Sequence, residues 1–153
     1  MERNEDPTAA TVAANLKRLR TGRSWSVREL ADRLTQAGRT FSHSAVTRTE
    51  NGTRQASVGD LAAFAAVFDV SPLALLLPMA ADAEEEVDVT GMGAVPAGAL
   101  WRWAAGEMPL EAARTGYTTE AALWRFQTEG LPVFRREWPH PEEFRRKFEG
   151  GGE

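Results

Sequence analysis

The chain has 153 residues, 42% of them hydrophobic, which suffices for one ordinary domain or a small one with an appendage. With no cysteine and only two histidines, His43 and His140, it excludes disulfides and thiolate metal sites and argues against a histidine-built metal or acid–base centre; no cofactor is expected. The formal net charge of −4 is unevenly divided: from Thr8 to Val58 nine basic side chains stand against three acidic ones, and beyond Pro78 the balance turns acidic through Glu84, Glu85 and Glu86.

The start, MERNEDPTAA, is charged and has no apolar h-region, so a signal peptide is not expected. No run approaches the ~18 apolar residues of a membrane span, and the expected setting is the cytoplasm.

Residues 1–7 read as a polar, frayed lead-in ending at Pro7. A first helix is expected from Thr8 or Thr11 to about Thr21, because Val12, Leu16 and Leu19 recur at i, i+4 and i+7 and Gly22 follows as a stop. The second opens on a capping box, Ser26 with Glu29, flanked by Trp25 and Leu30 as a hydrophobic staple. Leu30, Ala31 and Leu34 make its inner face, and Gly38 ends it. After the connector Arg39–Thr40–Phe41, a third helix runs from the N-cap Ser42 to about Glu50, with Val46 and Thr49 inward and Asn51–Gly52 closing it. Ser57 and Asp60 cap a fourth, whose core residues are Leu61, Phe64, Ala65 and Phe68. Ser71–Pro72 opens a fifth, with Leu73, Leu76 and Leu77 as its apolar face and Pro78 as its stop.

Ser26–Gly52 thus reads as two short helices and a turn, and His43, Ser44, Thr47 and Arg48 lie off the apolar side of the second of them. Duplex DNA suits this chemistry. Arg can bridge guanine O6 and N7, and His or Ser can bond base edges, at ~1–3 kcal/mol of discrimination per good contact. Lys17, Arg23, Arg39 and Arg54 would add sequence-independent attraction by releasing counterions from phosphates.

Several of these residues recur together in a known family. Leu19–Arg20, Ser26–Val27–Arg28–Glu29–Leu30–Ala31, Glu50–Asn51–Gly52, Asp60–Leu61–Ala62, Val70–Ser71–Pro72 and Leu76–Leu77 form an ordered set. With it, residues 12–78 resemble the Cro/CI-type (XRE) helix-turn-helix repressors of phages and bacteria. The resemblance implies a five-helix, lambda repressor-like domain whose third helix enters the major groove. On that alignment His43, Ser44 and Arg48 occupy base-facing positions with Thr47 beside them, and Arg20 and Glu50 form the family's ion pair. Ser26, Val27, Asn51 and Arg54 would approach phosphates. One departure is the Thr35–Ser42 link carrying Arg39 and Thr40, which is longer than in compact phage repressors.

The whole chain is accordingly expected to be all-α: a helix-turn-helix domain over residues 8–78, an acidic linker over 79–90, and a small, mostly helical, Trp-rich region over 91–149. In the last, Gly91–Met92–Gly93 reads as a turn. Pro96 stands near the start of a helix that carries Leu100, Trp101 and Trp103 to a stop at Gly106. Thr118–Thr119–Glu120 leads a further helix with Leu123, Trp124 and Phe126, and Phe144 and Phe148 mark a last short one. Trp101, Trp103 and Trp124 are read first as a satellite core and second as an interface for a second copy or another protein.

The function implied is a DNA-binding transcriptional regulator, a repressor acting as a dimer on a near-palindromic operator. Its rivals are an antitoxin-type autorepressor whose acidic half binds a partner protein, and an adaptor that has kept the fold without DNA binding. An enzyme is not expected, since no acid–base or nucleophile constellation is visible.

Overall fold

Helix α1 (Pro7–Gly22) begins one residue before Thr8, the earlier of the two expected starts, and takes in Pro7 from the stretch read as a lead-in. Asp6 is its N-cap, accepting from the Thr8 and Ala9 amides, and Pro7 occupies the first helical position, where its missing N–H costs nothing. The structure, a computed structural model, describes residues 6–136, which fall into two units divided between Ala97 and Gly98.

In the first unit α1 is followed by α2 (Val27–Gln36), α3 (His43–Glu50), α4 (Val58–Phe68) and α5 (Leu73–Leu76). The capping boxes of α2 and α4 are both complete, Ser26 with Glu29 and Ser57 with Asp60. These helices close over one core: Leu16 from α1, Leu30, Ala31 and Leu34 from α2, Phe41 from the connector, Val46 from α3, Phe64, Ala65 and Phe68 from α4, and Leu75 from α5. Phe41 meets Phe64 edge-on at 5.4 Å, and Trp25 stacks on Phe68 at 5.2 Å. The inward residue of α5 is Leu75, with Leu77 buried just beyond it, while Leu73 and Leu76 are only half-buried. A single turn is too short for the i, i+3 stripe expected there to be decided by spacing alone.

Asn15 is buried in the apolar face of α1. Its amide donates to the carbonyls of Leu75 and Leu77 at 3.1 and 2.9 Å and accepts from Arg18 Nε. It thereby satisfies two carbonyls at the C-terminal end of α5.

The all-α expectation is corrected by a β-hairpin, and with it the reading of residues 79–90 as linker. Strands β1 (Glu86–Val89) and β2 (Gly93–Pro96) pair antiparallel, with Val87 opposite Val95 and Val89 opposite Gly93. The acids had marked this stretch as solvated, yet Glu86–Val87–Asp88–Val89 alternates with period two, and Val87, Val89 and Val95 are buried while Glu86 and Asp88 are exposed. Gly91–Met92–Gly93 lies at the turn. Thr90 then fastens β1 to α1: its amide donates to Thr8 Oγ1, its Oγ1 accepts from the Thr8 amide, and the same hydroxyl donates to Asp6.

Helix α6 (Ala97–Ala104) starts just after Pro96 and lies in the second unit from Gly98 on, followed there by α7 (Leu110–Thr115) and α8 (Glu120–Gly130), ending in a 3₁₀ turn at Val133–Arg135. Thr119 caps α8, accepting from the Ala122 amide. A Cβ on Gly106 would lie 2.6 Å from Leu131 Cδ2, so the chain after α8 returns against the end of α6, where the left-handed backbone (φ +80°) favours glycine. Helix α7, six residues without a polar cap, has no counterpart in the sequence reading. Trp138, Phe144 and Phe148 lie outside the described residues.

Candidate nucleic-acid interface

The connector between α2 and α3 is built by a Schellman motif. The Arg39 amide reaches back to the Leu34 carbonyl at 2.9 Å and the Gly38 amide to Thr35 at 3.0 Å, with Gly38 left-handed at φ +84°. The chain then drops Phe41 into the core and restarts at Ser42, whose hydroxyl accepts from the Ala45 amide. The longer link is therefore an ordered helix end followed by an anchor.

Helix α3 turns Val46 and Thr49 fully inward and leaves His43, Ser44, Thr47 and Arg48 exposed on one face. Thr47 Oγ1 donates back to the His43 carbonyl, and Ser44 shares a hydrogen bond with Ser42. The guanidinium of Arg48 makes no hydrogen bond, ion pair or ring contact with any described residue.

Behind this face lie two ion-pair systems. Arg20 forks onto Glu50, the last residue of α3, at 2.6 and 2.9 Å, and its third donor reaches the Trp25 carbonyl at 2.8 Å. This is the pair expected between helix one and the end of helix three, and both side chains are largely buried. The second centres on Asp60, whose side chain is fully buried. Its Oδ1 accepts from Arg39 Nε at 2.9 Å, and its Oδ2 accepts from Arg54 Nη2 at 2.8 Å and from the Ser57 amide at 3.0 Å. Burial pushes the Asp60 carboxyl up, but the Ser57 amide and the two guanidinium groups outweigh it and hold the carboxyl down at about 2.

Arg39 and Arg54, expected at phosphates, are thus already engaged inside the unit. Arg54 also donates to Thr49 Oγ1 at 3.2 Å and stacks over the Phe41 ring at 4.6 Å, and Arg39 reaches Ser57. Arg23 is similarly committed, donating to the Phe68 carbonyl and lying over Trp25 and Phe68. Lys17, Thr40 and Asn51 are exposed, as is Ser26 at the start of α2. There the Ser26 amide and hydroxyl hold the Glu29 carboxyl below the usual range, and the Val27 amide has no acceptor among the described residues. Sequence reasoning saw Asp60 only as a cap; its arginine partners stand 21 and 6 positions away, at spacings that carry no local signal.

Residues 11–76 match the family model of a helix-turn-helix domain. The first unit carries a helix-turn-helix domain. The match is consistent with the resemblance to Cro/CI-type regulators, and it covers the Arg20–Glu50 pair, α3 and the Asp60 system. No curated protein and no solved structure matches the chain. A helix-turn-helix domain suggests a DNA-binding regulator.

Trp101, Trp103 and Trp124 are half-buried within the second unit. The strongly exposed large apolar side chains there are Tyr117, Val133 and Phe134, at 73%, 65% and 86%. Among the described residues no helix is long and apolar enough to cross a membrane, and no group of three His, Asp or Glu side chains is placed to hold a metal ion.

Proposed function

We propose that this protein is a cytoplasmic, sequence-specific transcriptional regulator that lays α3 of a five-helix Cro/CI-type domain in the major groove of its operator. Arg48 and His43 read base edges, with Ser44 and Thr47 beside them. Lys17, Thr40, Asn51 and the Val27 amide approach phosphates, joined by the outward edges of Arg39 and Arg54. The role is binding, not catalysis. The observation that carries this reading is Arg48: its guanidinium is exposed and has no partner among the described residues, on a helix whose opposite side is held by buried ion pairs. Repression is the simpler mode of action, because occupying a promoter needs no contact with polymerase. A dimer would place two α3 helices in successive major grooves, on half-sites about 10 bp apart.

The test is selection of bound fragments from sheared genomic DNA by the purified chain, in parallel with Arg48→Ala. A two-fold-symmetric motif should emerge, and the variant should lose preference at one position of each half-site, by about tenfold. Absence of any enrichment at low salt would overturn the reading.

A further inference from the structure

We propose that Asp60, a residue far too buried to meet DNA, is the positioning residue that sets the pose of the recognition helix α3. The inference rests on the DNA-reading function above and names what fixes its geometry. Asp60 belongs to α4, yet its carboxylate holds the chain on both sides of α3. Arg39 stands in the connector entering α3, and Arg54 in the segment leaving it. Arg54 extends the grip to the helix itself through Thr49, and covers Phe41, the anchor immediately before the Ser42 cap.

The arrangement exceeds what helix capping requires. A capping box needs one acceptor oxygen for the Ser57 amide, and Oδ2 supplies it. Oδ1 is left for Arg39, at 2.9 Å from Nε and 2.7 Å from Nη2. A neutral acceptor would cap α4 as well, but only a carboxylate can take both guanidinium groups at once. Together with Arg20 on Glu50, the Asp60 system defines the rotation of α3 about its axis, and so which side chains stand at the base edges. Contacts that depend on bidentate geometry are lost with small displacements, whereas phosphate contacts tolerate them.

Asp60→Asn separates the two duties. The amide oxygen keeps the Ser57 cap and the Arg54 bond, while the amide nitrogen presents a donor to the donors of Arg39 and releases that arm. The full-length variant is compared with wild type for binding to the selected motif and to random DNA of equal length, at one salt concentration. Asn15→Ala, which loosens α1 from α5 away from α3, serves as the control for lowered stability alone. The motif-to-random affinity ratio should fall about tenfold in Asp60→Asn and remain unchanged in Asn15→Ala. An unchanged ratio in a folded Asp60→Asn would overturn the proposal.

Should Asp60→Asn fail to fold, Arg39→Gln decides, since its half-exposed side chain leaves the Arg54 arm in place. Mere loss of a phosphate contact would weaken motif and random DNA equally, and that result would also overturn the proposal. Amide exchange without DNA gives a separate readout: residues 43–50 should exchange about tenfold faster in Asp60→Asn, or in Arg39→Gln, than in Asn15→Ala. Wild type that selects no motif defeats the DNA-reading function, whereas unchanged exchange in α3 defeats the role of Asp60.

Discussion

The arginines of the helix-turn-helix unit sort by what their guanidinium groups touch. Arg20, Arg39 and Arg54 meet carboxylates, Arg23 caps the end of α4 and covers aromatic rings, and Arg48 is exposed with no partner among the described residues. Composition counts all five as equal contributions to a basic face. The difference could not be read from the sequence because each partner is fixed by tertiary packing, and only Arg20 with Glu50 was legible, through the family resemblance. The outward face of α3, by contrast, followed directly from helical spacing around Val46 and Thr49. Asn15 went unread for the same reason as the arginine partners: beside the Val12, Leu16 and Leu19 stripe it carries no local signal, and its partners are the carbonyls of Leu75 and Leu77, about sixty positions away. Asn15→Ala leaves those buried acceptors without their donor and should cost roughly 1–3 kcal/mol in urea unfolding. A midpoint equal to that of wild type would mean that water takes the place of the amide.

Helix starts were more legible than helix ends. Ser26, Ser42, Ser57 and Thr119 each cap the helix expected of them, because the cap is a local side-chain-to-backbone bond written into three or four consecutive residues. Ends depend on a left-handed residue, and glycine announces it only where glycine is used. Gly38 was visible as the end of α2, but the equivalent position after α1 is Ser24, at φ +58°, two residues beyond the glycine that marked the stop. The Trp25 amide bonds the Arg20 carbonyl there, as the Arg39 amide bonds Leu34 after α2. Two substitutions should therefore move stability in opposite directions. Ser24→Gly relieves a Cβ in the left-handed region and should raise the thermal midpoint, and Gly38→Ala, with open space around its Cβ, introduces only that strain and should lower it. Each effect is about 1 kcal/mol. A loss of stability in Ser24→Gly would show that another interaction holds that turn. The hairpin escaped for a different reason: its strands are four residues long, and the acids on their outer face hid the alternation of Val87 and Val89.

For the whole molecule, charge is segregated along the chain, so acid acts on it unevenly. The basic surplus of Thr8–Val58 persists as pH falls, while the Asp60 carboxylate that organises this unit is lost. Asp60 dominates because its side chain is fully buried and its carboxyl is held at about 2 against an ordinary 3.8. A carboxyl depressed in the folded state binds its proton more readily once unfolded. The stability it contributes is therefore complete above the unfolded value near 3.8 and is lost as pH falls from there through about 2. The size of that contribution is about 2 kcal/mol. Asp6 and Glu29 are also held low, by Thr90 and by Ser26, but both are exposed and add little. Urea unfolding followed from pH 7 to pH 2 should show no loss attributable to Asp60 above about pH 4 and a steep one below it. Asp60→Asn should start from a lower midpoint at pH 7 and decline less between pH 4 and 2, because the group that titrates there is gone. If the variant followed the wild-type decline in parallel, the acid sensitivity would belong to other carboxylates, and the charge network around α3 would not be the part of the fold that acid releases first.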